Sequence, residues 1–246
     1  MASSAAEPLR GGNTTPGVMR VGDTVRRPRG RRSEFAGRAL RQLHGLGFPW
    51  APAYLGVDDY GCDMFEYVDG ATTDHPSQRD ERCYAAIGAI LRRLHDDTRG
   101  HPIAAGGDCL VHGDPGPFNV VMREGMPRAL IDWDSVHAGD PREDIGYAGW
   151  TWCVQSAGNV PVEDQARRLA QFRDGYDRTI REDELITMVI ECQDRIIELE
   201  SANAADDAMS DARRQHAITA VAWAKSDRRV VSANLELFRT ALRRAV

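Results

Sequence analysis

The stretch Leu110 to Asp134, LVHGDPGPFNVVMREGMPRALIDWD, constrains the fold most. Asp114 ends a short apolar run and is followed by Pro115-Gly116-Pro117. Two prolines and a glycine prevent a helix and hold a tight loop. Asn119, at the far end of that loop, starts the short strand Val120-Val121-Met122. Glu124-Gly125 then turns the chain into Ala129-Leu130-Ile131-Asp132. In such a hairpin Asn119 and Asp132 approach each other at one end, with Asp134 just beyond. An amide oxygen and carboxylate oxygens are hard ligands that suit Mg²⁺, which takes few protein ligands and relies on substrate phosphates for the rest. Asp114 is then left to accept a proton from an alcohol.

The flanks set the architecture. Gly17–Val21 and Thr24–Arg27 read as a hairpin about Gly22-Asp23. Ser33 can cap a helix to about Leu46, with Phe35, Ala39, Leu43 and Leu46 on one face. Ala53–Val57 and Asp63–Val68 are two more strands. After Gly70 the helical content rises. Ser77–Asp80 resembles a capping box before Tyr84, Ile87, Leu91 and Leu94. Helical periodicity returns at about 162–176, 182–200 and 212–243, the last broken near Ser226. The expectation is a small sheet lobe over residues 1–68, with a flexible start over residues 1–8, and a helical lobe over 69–246.

Bulk properties exclude several classes. No apolar run approaches the ~18 residues of a membrane span, and the start, MASSAAEPLRGG, lacks a secretory pattern. A cytoplasmic protein without a membrane partner is expected. A net charge of −6 argues against nucleic-acid binding. The five cysteines show no Cys-x-x-Cys pair and read as buried thiols. Lys225 is the only lysine, so no mechanism can call on a lysine in the N-terminal part.

His112-Gly113-Asp114 with Asn119, followed by Ile131-Asp132-Trp133-Asp134, resembles the signature of the aminoglycoside phosphotransferase and choline kinase-like family. That family shares the protein-kinase fold, and the Asp114-to-Asn119 spacing is that of a kinase catalytic loop. The resemblance extends over about residues 9–150. It implies an α+β, two-lobed protein with a small N-terminal antiparallel sheet lobe and a larger, mainly helical C-terminal lobe. It implies a nucleotide-covering loop at Gly11, Gly12 and Asn13, and a hinge at Glu66 and Val68 that holds adenine. By the same resemblance Asp114 deprotonates the acceptor hydroxyl, Asn119 and Asp132 hold Mg²⁺ between the phosphates, and Asp134 supports a second metal or its waters. ATP or GTP is the implied donor, and a small, cationic acceptor such as an aminoglycoside or amino alcohol the implied partner. The family places a lysine on the third strand, paired with a glutamate on the next helix. Here Arg26 stands in the matching place, Arg27 faces the other side, and Glu34 is the candidate partner. Arginine keeps the charge, but its fork has a different reach.

Bland roles fit several other residues. His112 and His95 read as hydrogen-bonded scaffold, Asp140 as a helix cap, Asp144 as structural, and Trp150 and Trp152 as core. A kinase-like binding protein acting as a regulator or immunity factor is the competing reading. A metal-dependent hydrolase is disfavoured because multiple His ligands are missing near the carboxylates.

Overall fold

Short alternating segments separated by Gly and Asp turns assemble into one antiparallel sheet. The computed structural model describes residues 6–9 and 17–244. Strand β1 (Ala6–Pro8) pairs with β2 (Met19–Val21), so part of the expected flexible start forms an edge strand. β2 turns through Gly22-Asp23 into β3 (Thr24–Pro28), with Gly22 supplying the positive φ of 60° that the turn needs. Helix α1 (Ser33–Gly45) follows, then β4 (Tyr54–Val57) and β5 (Cys62–Glu66), giving the order β1-β2-β3-β5-β4. α1 buries Ala36, Ala39, Leu40 and Leu43. Its Gly37 lies under the Tyr54 ring, 2.9 Å from where a Cβ would stand. The helix start differs from the expected cap. Ser33 lies inside the first turn, and its Oγ accepts the Gly30 N–H instead.

The chain folds as two compact units. The first runs to Asp80 and takes in Arg93–Pro141, so it holds the sheet and the polar motif together. Helix α2 (Cys83–Thr98) begins later than the sequence suggests. Pro76–Gln78 form a separate 3₁₀ turn capped by the His75 side chain. The last turn of α2 positions the motif. Thr98 Oγ1 donates to Leu94 O and accepts the Leu110 N–H at 2.9 Å, both buried. Strand β6 (Cys109–Val111) leads into the loop, and β7 (Val120–Arg123) and β8 (Met126–Leu130) form the expected hairpin, with a bulge near Val121. β9 (His137–Gly139) pairs antiparallel with β6. Its three residues, His-Ala-Gly, carry no alternation and gave no strand signal. The hairpin is tied back to the chain by Leu130 N–H to Trp50 O at 2.8 Å and by paired hydrogen bonds between Ala71 and Met122.

The second unit, Glu81–Arg92 with the chain from Arg142, is helical. It contains α3 (Arg142–Cys153), α4 (Val162–Tyr176), α5 (Glu182–Ala205), α6 (Asp211–Ala233) and α7 (Leu235–Arg244). Trp150, Phe172, Leu185, Val189 and Phe238 form its core. Gly88 and Gly175 let the first half of α2 meet α4 backbone to backbone; a Cβ on either would collide with a carbonyl of the other helix. The last helical pattern breaks at Asn234, not near Ser226. Asn234 leaves helical geometry, and its side chain closes α6 by donating to Val230 O. Among the described residues no helix is long and apolar enough to cross a membrane.

Candidate active site

The motif begins where β6 ends. His112 is fully buried and packs on the Trp133 ring, 4.6 Å between centroids. Its Nδ1 accepts the Asp114 N–H, so Nε2 carries the proton and donates to Ile131 O at 3.1 Å. One imidazole thus ties the loop to the end of the hairpin, as scaffold. Gly113 has φ +81°, and an added Cβ would lie 2.6 Å from Ser135 O. Only glycine lets the loop press on the turn that carries Asp132 and Asp134.

The Pro115-Gly116-Pro117 segment returns the chain so that Asn119 comes back to Asp114. Asn119 is buried in a 3₁₀ turn, and its Nδ2 donates to the Asp114 carbonyl at 3.1 Å. This bond fixes the amide's orientation and aims its oxygen away from that carbonyl. The Asn119 carbonyl accepts the Ile131 N–H at 2.9 Å, which brings Asn119 beside Asp132. Asp132 sits at φ 61°, ψ 60°. That is a left-handed conformation costly for most residues but tolerated by aspartate. It turns the chain sharply into a short 3₁₀ turn, Trp133–Ser135, which packs on α1. Trp133 Nε1 anchors that turn on Leu130 O at 2.8 Å.

The two carboxylates share a cation, Arg27, which lies on the face of β3 opposite to that of the expected Arg26. Arg27 Nη1 and Nη2 lie 2.9 and 2.6 Å from the two Asp134 oxygens. Nη2 also lies 3.0 Å from Asp132 Oδ1. Arg26 is engaged elsewhere: its Nη1 pairs with Asp58 at 3.0 Å and its Nε donates to Thr24. Glu34 is exposed on α1. The signal that separates the two arginines is the cross-strand partner. Arg27 stands opposite the buried Asp63, and Arg26 opposite Met64. Asp63 is itself held by the Tyr54 hydroxyl at 2.7 Å and by Arg29 at 3.3 Å.

Burial pushes the Asp134 carboxyl above its ordinary range; Arg27 opposes this, and Asp132 and Asp63 add to it. Nearly half of the Asp134 side chain, 47%, is still open to solvent. Among the described residues no three His, Cys, Asp or Glu side chains form a metal cage. Asn119, Asp132 and Asp134 nonetheless offer the few hard oxygens that fit Mg²⁺ bound with nucleotide phosphates. At the expected hinge, the Glu66 side chain accepts the Ala53 N–H, Tyr67 N–H donates to Asp23 O, and Val68 follows half-buried. Gly11, Gly12 and Asn13 lie outside the described residues.

The fold is protein-kinase-like. It is similar to that of a choline/ethanolamine kinase family protein from Mesorhizobium loti, with TM-score 0.65 and 20% identity, over 97% of this chain and 92% of that one. It is also similar to ADP-bound aminoglycoside phosphotransferase APH(2'')-Ib, with TM-score 0.59 and 14% identity, over 94% and 95% of the two chains. The model of the phosphotransferase enzyme family (APH) matches residues 26–181, and the chain belongs to that family. It is 31% identical over 210 residues to the trifolitoxin immunity protein of Rhizobium leguminosarum bv. trifolii, covering 73% of this chain and 78% of the relative.

Proposed function

We propose that the protein transfers the γ-phosphate of ATP or GTP to a hydroxyl of a small, cationic acceptor such as an aminoglycoside or amino alcohol. The observation that carries this reading is the link from Asp114 through Asn119 to the Asp132 turn, all within one unit. Asp114 takes the proton of the attacking hydroxyl and holds that oxygen in line with the phosphorus. Asn119 and Asp132 would hold Mg²⁺, with Asp134 supporting a second ion or its waters. When bound, Mg²⁺ neutralises the phosphate oxygens as charge develops there. Arg27, placed at the carboxylates, takes the phosphate-gripping role the family gives to lysine, while Arg26 supports the strand through Asp58. The sheet up to residue 68 serves as the nucleotide lobe, with the backbone at Glu66 and Val68 as the hinge that holds the base.

The test is a transfer screen from γ-labelled ATP and GTP over aminoglycosides and amino alcohols, with and without Mg²⁺. Mg²⁺-dependent labelling that Asp132→Ala abolishes is the expected result; labelling that survives Asp132→Ala contradicts the assignment. A second reading is favoured by the relative named an immunity protein: the chain protects by binding a toxic molecule without transfer. Protection of cells that persists in Asp114→Ala would select that reading.

A further inference from the structure

The Arg27 fork lies where a metal ion is expected to bind. Its guanidinium spans both carboxylates, bidentate on Asp134 and 3.0 Å from Asp132. The arginine side chain is only 13% exposed, while the Asp132 and Asp134 side chains keep 32% and 47% open to solvent, so an enclosed cation meets carboxylates that an ion can reach from the open side. A planar fork can serve two carboxylates at once, whereas an ammonium is a point charge. The cation also offsets the repulsion between two neighbouring carboxylates.

We infer that Arg27 is an internal counter-cation that closes Asp132 and Asp134 to a bare divalent ion and yields them only to a metal that arrives with a polyphosphate. A metal ion entering alone must displace the guanidinium from the two carboxylates it bridges, which is unfavourable. A triphosphate removes that obstacle, because its oxygens give the arginine a second bidentate partner. Metal binding is thereby coupled to nucleotide binding, and arginine in place of lysine has a physical reason. The identity of the polyphosphate as a nucleotide rests on the phosphotransferase reading; the competition between Arg27 and a divalent ion does not.

Mn²⁺ titration followed by the electron paramagnetic resonance of the free ion tests this without turnover. The wild-type protein without nucleotide should bind Mn²⁺ at least tenfold more weakly than Arg27→Met, with Arg27→Lys between them and all three equally helical by circular dichroism. Adding Asp132→Asn to Arg27→Met should remove the gained site. Equal Mn²⁺ affinity in wild type and Arg27→Met, or a gained site indifferent to Asp132→Asn, overturns the inference. A gain of Mn²⁺ affinity in a protein that transfers no phosphate leaves the gate standing and removes the phosphotransferase reading. Transfer activity without that gain removes the gate alone.

Discussion

Two residues in the motif do their work through backbone geometry. Gly113 faces Ser135 at a distance that admits no Cβ, and its φ is positive. Gly113→Ala is expected to cost about 1–3 kcal/mol of stability and to move Asp114 away from Asn119. A lowered thermal midpoint together with lost activity checks this. Unchanged stability would show that the loop does not press on the turn. Asp132, in the left-handed region, is the second such position. The sequence made both aspartates and Asn119 legible because the prolines and the hairpin turn bring them together. It did not make the choice between Arg26 and Arg27 legible. Alternation separates their faces, but which face meets the carboxylates depends on how β3 lies over a turn more than a hundred residues later.

At the scale of elements, α5 and α6 are joined by Arg213, whose two terminal nitrogens reach the two Glu200 oxygens at 2.7 and 2.8 Å. The Arg213 hydrogen bond holds the Glu200 carboxyl below its ordinary range. A depressed folded pKa contributes stability that is present above the unfolded value and is lost as pH falls through the folded one. Glu200→Gln should therefore destabilise by about 0.5–1 kcal/mol at pH 7, and the difference from wild type should vanish at an acid pH below the titration of the folded carboxyl. Urea unfolding at the two pH values reads this directly; a difference that persists in acid would mean packing, not charge, is lost. Asp227 has the opposite sign. Burial raises its carboxyl although Ser156 N–H and Trp150 Nε1 donate to it, so its ionisation weakens the fold as pH rises. Apolar spacing marks α1, α2, α4, α5 and the joint α6–α7 pattern, whereas α3 is marked only by the Asp140 cap before it. Helix ends do not follow from spacing: the α6–α7 break depends on the Asn234 side chain, and the delayed start of α2 on a His75-capped turn. Both are local hydrogen bonds that periodicity does not register.

For the molecule as a whole, the sheet carrying Arg27 and the hairpin carrying Asp132 and Asp134 belong to one compact unit, and the helices after Arg142 form the other. Strand and helix patterning, with the family resemblance, conveyed the α+β class. They did not convey that the polar motif shares a unit with the sheet, because that grouping rests on backbone bonds such as Leu130 to Trp50 and Met122 to Ala71. The central claim is that Asp114 acts on the acceptor hydroxyl while other residues hold the nucleotide. Asp114→Asn, which preserves shape and removes the base, tests it most directly through paired measurements of Mg²⁺-nucleotide affinity and phosphate transfer. Unchanged nucleotide affinity with a fall of about 10²–10⁴-fold in kcat is the expected result. Wild-type turnover in Asp114→Asn would contradict it.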